Sequence, residues 1–218
     1  MSATASALDG GSTAYATPRP VDEGWTNERL GIWLFIVSEA IIFASFLAQY
    51  FYARVLSTGW PPRGFEEVPV HIVLSLDPLR INPVPLILTA FLAASGFTAH
   101  NAQTAIRRDD REGLQGWLIV TIGLGVLFLA GQAYEYSNLI FRENFGINSG
   151  IYGSAFFSLT GLHGLHVTAG VILLAGVLLR AFMGHFSSWN HFGVEGTVLY
   201  WHFVDVVWAA LLLSLYIF

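Results

Sequence analysis

Cysteine is missing from the chain, and so is lysine, because all ten basic residues are arginine. Without cysteine, disulfides, cysteine-ligated zinc, iron–sulfur clusters and thiol catalysis are excluded. Charge is scarce as well, since 11% of the residues are charged, against about a quarter in an ordinary soluble domain. The formal net charge is −5, and the chain has no basic stripe of the kind that binds nucleic acid.

Apolar residues, in contrast, make up 54% of the sequence, which suits a lipid environment better than water. Five apolar stretches are each long enough to cross roughly 30 Å of hydrocarbon at about 1.5 Å per residue. Only helices and closed barrels satisfy their backbone hydrogen bonds in lipid. The sequence therefore predicts an all-α fold, a polytopic bundle of five transmembrane helices at about 30–53, 83–106, 114–137, 153–182 and 196–218.

Residues 1–28 are polar and small, and we expect them to form a flexible N-terminal tail. The tail lacks the hydrophobic centre of a secretory signal. Residues 29–218 then make up the transmembrane domain. Polar breaks between the spans are predicted at 54–82, 107–111, 138–152 and 185–195.

The distribution of arginine predicts the orientation, because cytoplasmic loops carry an excess of basic residues. With the N-terminus inside, the cytoplasmic side holds Arg19, Arg29, Arg107, Arg108, Arg111 and Arg180. The other side holds Arg54, Arg63, Arg80 and Arg142. We expect the N-terminus in the cytoplasm and the C-terminus on the outer side.

Five polar side chains lie inside the predicted spans, namely Glu39, His163, His166, His202 and Asp205, and the spans put Glu39, His163 and Asp205 near the midplane. A charged group at this depth costs about 2.5–3.5 kcal/mol on insertion scales, so it normally faces protein and has a partner. Histidines 163 and 166, like residues 202 and 205, are spaced to share a helix face. We hypothesise one interhelical polar cluster, in which Glu39 pairs with a histidine of the fourth helix.

Three interpretations of this cluster remain open at this point. Its members can simply hold the helices together by hydrogen bonds. Glu39 can serve a protonation or lipid-linked function as a buried carboxylate. Alternatively, His163, His166, His202 and Asp205 can bind a metal ion or a haem.

Two further carboxylates are weaker candidates because they lie near helix ends. Glu135 is near the outer end of the third span, a position where a carboxylate can stay hydrated. Glu195 begins the fifth span, where a carboxylate stabilises the positive end of the helix dipole.

Four motifs resemble subunit III of the haem–copper oxidases, specifically of the cytochrome c oxidase type. They are FIVSEAIIF at 35–43, LGVLFLAGQAYEY at 124–136, YGSAFFSLTGLHGLHVTAGV at 152–171 and HFGVEGTVLYWHFVDVVW at 191–208. The resemblance covers residues 30–218. Longer members of that family have seven helices, and the first span here is similar to their third, as in the short five-helix bacterial members.

The resemblance implies a non-catalytic subunit of a proton-pumping respiratory complex in the bacterial cytoplasmic membrane. The complex transfers electrons from cytochrome c to dioxygen, with haem and copper in subunits I and II and none in this chain. Subunit III of this family contacts subunit I, binds structural phospholipid, supports proton uptake and protects the complex during turnover. Glu39 occupies the position of the family's carbodiimide-reactive glutamate. The resemblance therefore weighs against a metal site, and it leaves open whether the complex joins a larger respiratory supercomplex.

Three alternatives are kept beside this interpretation. Subunit III of a quinol oxidase, or the related accessory subunit of nitric oxide reductases, would differ by lacking a copper-binding subunit II encoded beside it. A proton-coupled carrier would need a solute cavity and broken helices. A self-contained metalloenzyme would keep its metal when purified alone.

Overall fold

The computed structural model describes residues 26–56 and 83–217, and this part of the chain is helical. The helices are α1 (Asn27–Leu56), α2 (Val84–Arg107), α3 (Arg111–Phe141), α4 (Gly150–Phe182) and α5 (Phe192–Leu211). A π-helical segment, Leu212–Ile217, continues α5. All five helices are long and apolar enough to cross a membrane, which confirms the predicted all-α bundle.

Most helices are longer than the apolar stretches that predicted them. α1 begins at Asn27, inside the expected tail, and α3 extends from Arg111 to Phe141. Hydropathy marks only the part of a helix in hydrocarbon, whereas polar end turns continue into the interface. At the start of α3, for example, the Asp110 side chain accepts a hydrogen bond from Gly113 N at 2.8 Å and caps the helix.

The central predicted loop, 54–82, is described only in part. Its first three residues belong to α1, which ends at Leu56. Residues 57–82 and the tail residues 1–25 lie outside the described ranges.

Helix α5 is the centre of the bundle, with α1, α2 and α4 packed around it and α3 behind α2 and α4. Its Trp201 is fully buried and reaches between Gly125 of α3 and Gly170 of α4. A Cβ atom at either glycine would lie less than 3.0 Å from the Trp201 ring, so these positions need glycine for the close approach. Trp201 Nε1 donates to Ser95 Oγ of α2 at 3.0 Å, which joins a fourth helix to the same side chain.

Alternating helix directions place the start of α1, the α2–α3 connection and the α4–α5 connection at one end of the bundle. Arg107 of α2 contacts Glu195 of α5 there, and Asp109 accepts a hydrogen bond from Ser188 N at 3.1 Å. We call this end the arginine face, since Arg29, Arg107, Arg108, Arg111 and Arg180 all lie at it. Helices α1, α3 and α5 begin at this face, whereas α2 and α4 end at it. That the arginine face is cytoplasmic stays a prediction.

Candidate functional site

Glu39 of α1 contacts His166 of α4 inside the membrane-spanning region. Glu39 Oε2 lies 2.9 Å from His166 Nε2, and the two side chains are 18% and 13% exposed. The hypothesis that Glu39 pairs with a histidine of the fourth helix agrees with this contact. Phe43 covers the pair with its ring centroid 5.0 Å from the imidazole, and Tyr200 OH donates to the His166 carbonyl oxygen at 3.2 Å.

The hydrogen bond at the other imidazole nitrogen of His166 determines where the proton of the pair can lie. His166 Nδ1 lies 2.8 Å from the carbonyl oxygen of Leu162. A carbonyl oxygen only accepts, so Nδ1 must carry a hydrogen. Nε2 then either accepts from a protonated Glu39 or, as part of an imidazolium, donates to the Glu39 carboxylate. In both cases one proton lies between His166 Nε2 and Glu39 Oε2, and the pair has no net charge.

His163 lies three residues before His166 and faces a different environment. Its side chain is fully buried, stacked on Trp208 at 5.1 Å and edge-on to Phe128 at 5.7 Å. Neither of its ring nitrogens has a hydrogen-bond partner among the described residues. His163 is thus enclosed by aromatic rings, whereas His166 points towards α1.

His202 and Asp205 of α5 form a third group, on the side of the bundle next to α2. His202 Nδ1 lies 3.5 Å from Asp205 Oδ2, and the side chains are 41% and 20% exposed. Both face Gly96 of α2, where an added Cβ would clash with the carboxylate.

The five polar side chains, hypothesised to form one interhelical polar cluster, lie in three groups in the structure. Within the described ranges, no hydrogen bond or ion pair connects the Glu39–His166 pair, His163 and the His202–Asp205 pair. All lie at similar depth, but residues three apart differ by about 60° around a helix, enough to face different neighbours. Depth alone therefore did not determine which of these side chains meet.

Glu135, at a position where a carboxylate can stay hydrated, is buried in the structure. It is 4% exposed, and Tyr216 OH donates to Glu135 Oε2 at 3.4 Å. Tyr216 belongs to the π-helical segment, which brings its side chain against α3. Since that segment reads in the sequence as an ordinary end of α5, hydropathy gave no sign of this cover.

Glu195 does more than stabilise a helix dipole. Its carboxylate lies 2.8 Å from Arg107 of α2, 3.7 Å from Arg29 of α1 and 3.2 Å from His191, the residue just before α5. This group, which we call the face cluster, joins three helices, and no side-chain cap is formed at the start of α5. Sequence reasoning missed Arg29, Arg107 and His191 as partners, although the arginine count had already placed the two arginines on the side of Glu195.

A second missed group connects α3 and α4 near Glu135. Gln132 Nε2 donates to the Thr160 carbonyl oxygen at 2.8 Å, and Tyr136 OH shares a 2.6 Å hydrogen bond with Thr160 Oγ1. Threonine and glutamine are common enough in spans that their spacing alone gave no signal. Gln132 and Thr160 fall inside two of the recognised motifs, however.

The four residues considered as metal or haem ligands do not converge. In the part of the chain that the structure describes, no three histidine, cysteine, aspartate or glutamate side chains lie together as a metal site requires. His163 faces aromatic rings, His166 faces Glu39, and His202 faces α2. The arrangement therefore supports interhelical hydrogen bonding and proton sharing.

Comparison with known proteins identifies the family of the chain. The family model described as cytochrome c oxidase subunit III matches residues 16–218. Cytochrome c oxidase subunit 3 of Synechocystis sp. is 40% identical over 188 residues, covering 86% of this chain and 74% of that protein. The subunit 3 of Thermostichus vulcanus is 37% identical over 189 residues, covering 86% of each. The rabbit (Oryctolagus cuniculus) subunit 3 is 40% identical over 193 residues, covering 86% of this chain and 68% of that protein. With nearly its whole length matched, the chain belongs to the cytochrome c oxidase subunit III family.

Proposed function

We propose that this subunit supports proton entry into the oxidase, contacts subunit I directly and binds phospholipid, in the cytoplasmic membrane of a bacterium. The oxidation of cytochrome c and the reduction of dioxygen take place at haem and copper in subunits I and II. The observation that carries the proposal is the Glu39–His166 pair, a proton-sharing contact on the least covered helix of the bundle.

Helix α1 offers the surface for subunit I and lipid. In its described part, the buried residues are Ile36, Phe43 and Tyr50, which follow one another at every seventh position. The rest of the helix presents large apolar side chains outward, among them Leu34, Ile41 and Val55. A helix held by so narrow a stripe leaves most of its circumference for lipid or for a neighbouring subunit.

A groove between α1 and α4 is the proposed phospholipid site. It has a volume of about 560 Å³ and lies towards the face opposite the arginine face. Its walls are mainly apolar, including Phe46, Leu56 and Ile151, with Gln49 and Ser154 among them. Apolar walls suit an acyl chain, and the amide and hydroxyl can bond to the ester region of a lipid.

Removing the subunit tests the proposal as a whole. We expect the haem spectrum of the remaining oxidase to stay unchanged, while proton uptake slows and the enzyme inactivates sooner during turnover. Loss of the haem signal combined with a normal lifetime would contradict the proposal.

A variant of Glu39 tests the carboxylate itself. Glu39→Gln keeps the shape of the side chain but cannot hold the proton, so we expect lost carbodiimide labelling and a shorter turnover lifetime. Glu28→Gln, an exposed position in the first turn of the same helix, is the matched control and should behave as wild type. Equal lifetimes of the two variants would show that Glu39 has a packing role alone.

A further inference from the structure

A cleft opens at the arginine face between α1, α2 and α5 and descends to His202. Its volume is about 360 Å³. The lining includes side chains from all three helices, with Arg29 and Trp33 from α1, Gln103 and Arg107 from α2, and Glu195 and His202 from α5. It is separate from the groove between α1 and α4 and from the Glu39–His166 pair.

The depth of the cleft follows from the positions along α5. Glu195, at the mouth, and His202, at the bottom, are seven residues apart, or about 10 Å along the helix. That distance is roughly a third of the hydrocarbon thickness. Polar groups continue along the way, because Gln103 lies one turn below Arg107 on α2. Ionised and amide side chains lining a membrane cleft are typical of a water-filled space.

The pair at the bottom has the geometry of a site that can exchange a proton. The His202 ring is partly exposed in the cleft, and its Nδ1 lies 3.5 Å from Asp205 Oδ2. Gly96 gives the carboxylate room against α2. An imidazolium at His202 would thus have its counter-charge already in place on the same helix.

We propose that water enters this cleft from the arginine face and that His202, held by Asp205, accepts and returns a proton there. A hydronium O–H bond breaks as an N–H bond forms at His202 Nε2, and water is released. The imidazolium is then paired with the Asp205 carboxylate. This inference rests on the proposed function, because a proton site in the cleft is useful only if the subunit supports proton entry. The tests below measure hydration and histidine reactivity and do not measure proton uptake.

Charged and titratable groups facing this pair come from each neighbouring helix. α1 contributes Arg29 at the mouth, while its Glu39 is bonded to His166 of α4. α2 contributes Arg107 at the mouth, the exposed His100 one turn from Gly96, and Gly96 itself rather than a charge beside the carboxylate. Glu195 in the first turn of α5 and His191 just before this helix also lie at the mouth, and they are bonded to each other. The two arginines at the mouth exceed the single Glu195 carboxylate by one positive charge, and Asp205 is the charged group that contacts His202.

The natural absence of cysteine allows a direct test of hydration. Leu199→Cys and Gln103→Cys place a thiol in the cleft wall, and Val206→Cys places one on the outward surface of α5, where Val206 is 68% exposed. The variants are made in the assembled oxidase, reconstituted in nanodiscs and treated with a charged methanethiosulfonate. We expect both cleft variants to react at least tenfold faster than Val206→Cys.

Two results would contradict the proposal that water fills the cleft. A slow reaction at Leu199→Cys with a fast one at Gln103→Cys would mean that water stops at the mouth. A Leu199→Cys variant that reacts only after delipidation would mean that a lipid chain fills the cleft.

Modification of the imidazole tests the proton site in the unaltered protein. Diethyl pyrocarbonate reacts with neutral imidazole, and mass spectrometry of the chain reports each histidine separately. We expect His202 to react at least tenfold faster than the enclosed His163, with a rate that depends on pH. Asp205→Asn should move the inflection of this pH profile, and Glu39→Gln should leave it in place. Equal rates at the two histidines, or an inflection indifferent to Asp205, would overturn the assignment.

Discussion

At the scale of single residues, α4 shows how two histidines three positions apart acquire opposite roles. His163 is enclosed by Trp208 and Phe128, while His166 bonds to Glu39 and to a backbone carbonyl. Burying an imidazole that has no hydrogen-bond partner destabilises the fold. Removing an imidazole that is bonded to a buried carboxylate destabilises it as well. The two side chains should therefore respond oppositely to the same substitution.

His163→Phe should leave the stability of the subunit unchanged or raise it, because phenylalanine matches the aromatic surroundings and carries no unsatisfied nitrogen. His166→Phe should lower the stability of the subunit by about 1–3 kcal/mol, because Glu39 loses its hydrogen-bond partner. Thermal release of the subunit from the oxidase measures both. A double-mutant cycle over Glu39 and His166 is the control, and an interaction energy near zero would refute the pairing.

Gly96 of α2 should be sensitive to the addition of a side chain. Gly96→Ala drives a methyl group into the Asp205 carboxylate, and we expect a loss of roughly 1–3 kcal/mol in the same thermal assay. Gly123→Ala is the matched control, since a Cβ there meets nothing within 4 Å and alanine favours the helix. If both variants gain stability, the carboxylate does not lie against Gly96.

At the scale of helices, α1 is joined to the bundle by a narrow stripe and two polar anchors. The stripe is Ile36, Phe43 and Tyr50, and the anchors are Glu39 near mid-depth and Arg29 at the face cluster. Tyr50 OH adds a hydrogen bond to the Ser214 carbonyl oxygen at 3.1 Å near the opposite face. Because so little apolar surface is buried, the polar contacts decide how firmly this helix is held.

Glu195→Gln should loosen the start of α1 while the other helices stay in place. The neutral amide cannot hold Arg29 and Arg107 together, a loss of about 1 kcal/mol for a partly exposed ion pair. Hydrogen exchange should become faster in the first turns of α1. Glu112→Gln, an exposed carboxylate at the same face, is the control. Uniformly faster exchange in all helices would instead indicate global destabilisation.

A polar contact should also stabilise the end of α5, in this case the hydrogen bond from Tyr216 to Glu135. Tyr216→Phe leaves Glu135 buried without the hydroxyl that bonds to it, and we expect a loss of about 1–3 kcal/mol. Tyr134→Phe, at a position that is 55% exposed, should have no measurable effect. Thermal release of the subunit distinguishes the two, and equal behaviour would mean that the Tyr216 hydroxyl contributes nothing.

At the scale of the whole molecule, five helices alternate in direction, so residue 26 and residue 217 lie at opposite ends of the bundle. Five described arginines lie at the arginine face, and Arg54 and Arg142 lie at the other. The predicted orientation rests on this excess of arginine at one face of the bundle.

An impermeant thiol reagent can test that orientation on intact cells. Arg108→Cys should resist labelling because the arginine face is expected in the cytoplasm, and Glu143→Cys, at the opposite face, should be labelled. Both positions are exposed. After the cells are broken open, both variants should react, which controls for accessibility. The reverse pattern would invert the topology.

The sequence predicted the five helices well and the direction of their polar side chains poorly. Apolar length located five spans and put Glu39, His163 and Asp205 near mid-depth, because both depend only on position along a helix. Which way His163 turns depends on Trp208 and Phe128 from other helices, and no single span contains that information. The burial of Glu135 was not predicted because its cover comes from a change to π-helical geometry, which hydropathy does not register.

The Glu39–His166 contact also has a consequence for biosynthesis. His166 is synthesised 127 residues after Glu39, an interval of roughly 6–25 s at about 5–20 residues per second. During that time α1 can already have left the ribosome, with an acidic side chain whose insertion costs about 2.5–3.5 kcal/mol and whose partner does not yet exist. The arrival of α4 ends this exposure, so the nascent subunit is vulnerable to membrane proteases until its fourth helix docks.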